Sequence, residues 1–170
     1  RAPVATVDHA LCMVGDRRKR ALLDHLLAQD DCATAIVFTR TKHRAKRLAE
    51  QLSQSGHRAV ALQGNMSQGQ RDRAMKGFRE GRFDVLVATD IVARGIDVSG
   101  VSHVINFDVP NTPEAYTHRI GRTGRSECSG VAYTFVTAGD AAWVRATERM
   151  IGGKIDRRRF EGFDTSGTEN

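Results

Sequence analysis

Short runs of β-forming residues alternate with amphipathic helical segments along most of this chain, and that alternation is compatible with few folds. The runs are ATAIVF at 33–38, RAVAL at 58–62, DVLVA at 84–88, SHVINF at 102–107 and GVAYTFV at 130–136. Before the first of them, residues 16–29 place Leu22, Leu23, Leu26 and Leu27 at helical spacing. A second helix is predicted to begin at Thr41, a good N-cap, to align Ala45, Leu48, Ala49 and Leu52, and to end at Gly56. SQGQ at 67–70 has the form of a capping box and opens a third helix that ends near Gly81. Thr112 and Pro113 start a fourth, through about Ile120, and a last one covers 140–151 with Trp143 on its core side. Strands of this length, separated by helices, predict an α/β fold with a parallel sheet sandwiched by helices.

A chain of 170 residues can bury one sizeable core. The folded domain is expected over 15–152, with 1–14 an N-terminal connecting segment and 153–170 a basic C-terminal tail containing the arginines at 157–159. The longest apolar runs, AIVF and VLVA, are far too short to span a membrane, and the first residues have no signal-peptide pattern. The missing initiator methionine makes a processed or excised piece the expected origin. Cys12, Cys32 and Cys128 are scattered without a CxxC pair, and the histidines lack metal-ligand spacing, so no metal site is expected and a reducing, cytoplasmic home fits. A net charge of +6 suits a polyanionic partner without requiring one.

Right-handed crossovers bring the loops after successive parallel strands to one edge of the sheet, where such folds bind ligands. Those loops here contain TRTK (39–42), QGNMSQGQR (63–71), TDIVARGID (89–97) and, beyond a further helix, HRIGRTGR (118–125). Arginine and glycine together suit phosphate, the first as a planar fork of donors and the second by letting the backbone come close. The usual cradle for a nucleotide is missing, however. There is no Gly-x4-Gly-Lys-Ser/Thr loop, since the one Gly-Lys, at Gly153, precedes isoleucine; no Asp-Glu pair follows a hydrophobic strand to hold magnesium. Phosphoryl transfer needs both, so the chain is expected not to hydrolyse ATP by itself.

The four segments, in this order and spacing, resemble motif IV, the IVa and Gln-x-x-Arg pair, motif V and motif VI of the second RecA-like domain of DEAD-box RNA helicases, with the likeness spanning about 16–151. The resemblance implies a RecA-like helicase C-terminal domain. Its partners would be ATP with Mg2+, held mainly by an N-terminal RecA-like domain of the same protein, and RNA gripped by its backbone. Arg122 and Arg125 would reach ATP's terminal phosphates as arginine fingers, and Asp97 would accept a hydrogen bond from the ribose. Thr41, Gly64, Asn65, Gln68, Arg71, Thr89 and Gly95 would meet RNA phosphates. His118 would couple the RNA and ATP sites. Arg119 would pair with acidic groups of the other domain, unless it only satisfies the C-terminal dipole of its own helix. Arg94 is left between RNA and the interdomain network, Asp90 is expected to bond internally, and the arginines at 157–159 are expected in a solvated tail. Two rivals stand beside this reading. An RNA-binding module that has lost its ATP role would need none of Asp97, Arg122 and Arg125, and a DNA translocase half would not be expected to combine the full HRIGRTGR with the Gln-x-x-Arg pair.

Overall fold

The computed structural model describes residues 8–89, 100–120 and 130–164. Six strands form one sheet in the order β1-β6-β5-β2-β4-β3, every neighbouring pair parallel. They are β1 (Asp8–Met13), β2 (Ala35–Thr39), β3 (Ala59–Leu62), β4 (Val85–Thr89), β5 (His103–Asn106) and β6 (Val131–Val136). The helices are α1 (Lys19–Leu27), α2 (Lys42–Gln54), α3 (Gln68–Arg79), α4 (Pro113–Ile120) and α5 (Ala141–Ile151). The central strands are buried on both faces, which is why they read as continuous apolar runs.

Alternate residues of each strand supply two cores. Ile36, Phe38, Leu86, Ala88 and Val136 face one side with Ala74, Tyr116 and Val144 of the helices α3, α4 and α5. Val37, Val85, Val87, Ile105 and Phe135 face the other with the leucines of α1 and the Ala45, Leu48, Ala49, Leu52 stripe of α2. Helix ends follow their sequence signals. Thr41 Oγ1 accepts from the Arg44 N–H at 3.2 Å, Ser67 and Gln70 complete a reciprocal capping box, and Gly56 and Gly152 take φ of 98° and 90° just past the ends of α2 and α5.

Two segments depart from expectation. Residues 8–13, placed in the connecting segment by sequence, form the outer strand β1 in register with β6. Its free side is then covered by residues from the expected tail. The Leu11 N–H donates to the Asp156 carbonyl at 2.7 Å, the Arg158 N–H donates to the Leu11 carbonyl at 2.9 Å, and Ile155 is buried. Two of the three tail arginines are engaged, Arg158 with Asp8 and Arg157 with Glu148, while Phe160 stands edge-on to Tyr133 with ring centroids 5.2 Å apart. A covered edge cannot template pairing with another chain.

Gly77 in α3 provides a test of this packing. The chain turns back after the helix, with the Arg82 and Phe83 N–H groups donating to the Gly77 carbonyl, and a Cβ on Gly77 would lie 2.6 Å from Cε2 of the Phe83 ring. Gly77→Ala gains about 1 kcal/mol of helix propensity but overpacks the site by about 1–3 kcal/mol. The expected outcome is a melting temperature lower by a few degrees, measured by circular dichroism; an increase would show that the ring moves aside without cost.

Candidate functional site

The C-terminal ends of the strands gather the sequence-predicted residues. β2 lies between β4 and β5, and Thr39 and Thr89 are register partners at the ends of their strands, both buried. The turn after β2 begins with exposed Arg40 and Thr41. It is tied down at three points: Thr39 Oγ1 donates to the Thr41 carbonyl at 3.2 Å, the Arg40 N–H donates to Asp108 Oδ2 at 2.9 Å, and the Arg44 N–H donates to Thr41 Oγ1. With that oxygen accepting, the hydroxyl hydrogen of Thr41 is available to an outside acceptor.

The β3–α3 loop stands beside this turn. Lys42 Nζ donates to Asn65 Oδ1 at 3.1 Å, the Asn65 N–H donates to Gln63 Oε1 at 2.8 Å, and Gly64 is exposed with nothing within 4 Å of where a Cβ would sit. Lys42, His43 and Lys46 from α2, with Gln63, Asn65 and Gln70 opposite, border an open depression of about 430 Å³. Gln68 is exposed on the first turn of α3 with its amide donating to Asp72 at 2.8 Å, and Arg71 follows half-buried. The helix N-terminus of α3, where Ser67 caps the Gln70 N–H, carries the positive end of the helix dipole, and together with the lysines it gives this rim a positive potential suited to phosphate. Asn65 borders this depression, Thr41, Gly64, Gln68 and Arg71 each lie within two residues of a side chain that does, and Thr89 ends the strand between β2 and β3.

The start of HRIGRTGR falls on the same edge. His118 is exposed on α4, whereas Arg119 is only 6% exposed. Its guanidinium donates to Asn106 Oδ1 at the end of β5 and lies 4.0 Å over the Phe38 ring, while Asn106 in turn donates to Thr134 of β6 at 3.0 Å. Within the domain the Arg119 cation is stacked and hydrogen-bonded, and it pins the last turn of α4 over the ends of β2 and β5; its expected pairing with acidic groups concerns a domain outside this chain. Trp143, expected in the core, is half-buried against Tyr116 at 5.4 Å in an edge-to-face pair. Arg94, Gly95, Asp97, Arg122 and Arg125 lie outside the described residues, as do Asp90 and Cys128.

A charged cluster that sequence reasoning did not single out sits directly behind the Arg40–Thr41 turn. Asp108, just past β5 and 6% exposed, takes Arg44 Nε on Oδ2 at 2.8 Å, Arg44 Nη2 on Oδ1 at 2.9 Å and Lys19 Nζ on Oδ1 at 3.2 Å. Lys19, itself 4% exposed, also reaches Asp16 at 3.5 Å, and both cations lie over the Phe107 ring. Burial pushes the Asp108 carboxyl up, but the Arg44 hydrogen bonds, the Lys19 charge and the Arg40 N–H together hold it below its usual range, so it is ionised at neutral pH. Among the described residues no group of three or more His, Cys, Asp and Glu side chains is placed to hold a metal ion, and no helix is long and apolar enough to cross a membrane.

Comparison with known proteins gives this arrangement relatives. Residues 18–127 match the family described as the helicase conserved C-terminal domain. The chain is 45% identical over 161 residues to the DEAD-box ATP-dependent RNA helicase CshA of Bacillus subtilis, covering 95% of this chain and 33% of that protein. The chain thus spans about a third of the length of this curated relative. Among solved structures, the E. coli DEAD-box protein SrmB bound to regulator of ribonuclease activity A superposes with a TM-score of 0.84 at 41% identity, covering 91% of both chains. S. cerevisiae Dbp5 bound to RNA and ADP BeF3 superposes with a TM-score of 0.81 at 35% identity, covering 91% of this chain and 42% of that one. A six-stranded parallel sheet with helices on both faces and these relatives converge: the chain belongs to the DEAD-box RNA helicases, as their RecA-like C-terminal domain.

Proposed function

We propose that this domain is the RNA- and nucleotide-engaging C-terminal half of a cytoplasmic, ATP-dependent enzyme that unwinds RNA duplexes locally, and that it is inert as an ATPase alone. The observation that supports this most is an open depression whose rim carries Lys42, Lys46, Asn65 and Gln70, where the start of α2 meets the β3–α3 loop and the start of α3, with Thr41, Gly64 and Gln68 close by in sequence. On that rim, Thr41, Gly64, Asn65, Gln68 and Arg71, with Thr89 and Gly95, hold RNA by its phosphates, which makes binding weakly sequence-specific and strongly salt-dependent. Asp97 takes the ATP ribose, and Arg122 and Arg125 meet the phosphates of ATP whose Mg2+ is held by the other RecA-like domain. His118 and Arg94 couple the two sites, and Arg119 contributes from inside by fixing α4. RNA and ATP each favour the closed pair of domains, so each strengthens the other's binding by the same factor.

The test joins this chain to an N-terminal RecA-like domain that carries the phosphate loop and the Asp-Glu-Ala-Asp box. RNA-stimulated ATP hydrolysis is expected from the joined protein and none from this chain alone. Equal stimulation by DNA at matched salt would point to a DNA translocase. RNA binding without any stimulated hydrolysis would leave only a binding module.

A further inference from the structure

The Asp108 cluster has no part in the contacts proposed above, yet its carboxylate receives four hydrogen bonds. Its two oxygens receive the Arg40 N–H, both forks of Arg44 and the Lys19 ammonium, within 2.8–3.2 Å. A buried ionic cluster of this kind adds little net stability compared with apolar residues of similar volume. What it does supply is geometry. Three of its four bonds act on the turn that presents Thr41: one holds the Arg40 backbone, and two fix the side chain of Arg44, the residue whose backbone N–H caps onto Thr41 Oγ1. Lys19 ties the same carboxylate back to α1.

We propose that Asp108 is a positioning residue for RNA: its carboxylate clamps the Arg40–Thr41 turn through Arg44 so that the Thr41 hydroxyl is held ready to donate to a backbone phosphate. This rests on the RNA-binding reading above. It also makes a prediction opposite in sign to simple electrostatics. Asp108 is a negative charge beside a phosphate track, so removing it should tighten RNA binding if charge alone mattered. If positioning matters, removal weakens binding because the turn loses its anchor and Thr41 is no longer preset.

The experiment measures RNA-stimulated ATPase of the joined two-domain protein for wild type, Asp108→Asn and Thr41→Val, and for the double variant. Asp108→Asn is close in shape but leaves a carboxamide facing two cations and a backbone N–H. The half-saturating concentration of a single-stranded RNA is expected to rise about tenfold, as for loss of one hydrogen bond to a charged group, with turnover at saturating RNA little changed. In the Thr41→Val background the same substitution is expected to add almost nothing, because the two residues act through one contact. Arg44→Lys keeps the charge but loses the fork, and should shift half-saturation in the same direction by a smaller factor; it stands in if the Asn variant does not fold. A wild-type protein unresponsive to RNA would sink the RNA-binding reading and this inference with it. A responsive wild type with an unshifted or tighter-binding Asp108→Asn, or with equal effects in both backgrounds, would overturn the positioning role alone; if the Asn variant does not fold, an unshifted or tighter-binding Arg44→Lys would do the same.

Discussion

Arg122→Ala in the joined two-domain protein is expected to lower ATP turnover at saturating ATP and RNA by about 10³-fold or more, the range an arginine finger supplies. RNA half-saturation should move only a few-fold, because a finger meets charge that develops on the transferring phosphoryl group and adds little to ground-state binding. Arg122→Lys should recover little of the loss, since an ammonium is a point charge and cannot span two phosphate oxygens as the planar fork does. The measurement is steady-state hydrolysis with RNA and ATP each varied to saturation. Turnover near wild type in the alanine variant would remove the finger assignment. Falling turnover matched by an equal loss of RNA affinity would move Arg122 from the nucleotide to the RNA track. Arg119, three residues earlier, makes a useful contrast, since its guanidinium is already stacked on Phe38 and bonded to Asn106.

That contrast also shows what the sequence could and could not disclose. Features set by neighbours along the chain were legible: the doubly buried strand runs, the caps at Thr41 and Ser67, the glycines past α2 and α5, and the loops that a parallel sheet collects at one edge. Features set by distant partners were not. Strand β1 has only three fully buried residues and owes its existence to β6, more than a hundred residues later in sequence, so DHALCM carries little strand signal alone. The tail reads as basic because three arginines dominate it, but its place is fixed by Asp8, Glu148 and Tyr133. Arg119 reads from sequence as a cation for another domain or for its own helix dipole, and only the ends of two strands show its contacts with Phe38 and Asn106. The Asp108 cluster draws Lys19 from 89 residues away and Arg44 from 64, separations at which no local pattern operates. The one clue was an aspartate placed directly after a strand end, at the edge where ligands are expected.

Tyr116→Ala is expected to be the most destabilising single change in the described core. The side chain is fully buried, stands edge-on to Trp143 and joins α4 to α5; its phenol meets His9 Nδ1 at 2.6 Å and so joins α4 to β1 as well. Burial pushes the phenol far above its usual range and pushes His9 down despite nearby Asp8, so at neutral pH both are uncharged and the phenol and ring nitrogen share one hydrogen bond. Truncating a buried aromatic to alanine costs about 3–5 kcal/mol, a large part of the roughly 5–15 kcal/mol that holds a domain together. For a chain of this size that corresponds to a melting temperature lower by roughly 10–15 °C. Tyr116→Phe keeps the ring and loses one hydrogen bond, about 1 kcal/mol, so it should melt only a few degrees below wild type. The difference between the two variants separates packing from the His9 bond, read by thermal and urea unfolding. The consequence extends to function because α4 presents His118 and Arg119 at the sheet edge. In the joined two-domain protein, below its melting point, the alanine variant should hydrolyse ATP more slowly with RNA than wild type, and the phenylalanine variant should not. A loss of stability below about 1 kcal/mol for Tyr116→Ala, far under the cost of a collapsed aromatic site, would mean that α4 is not held on the core by this residue.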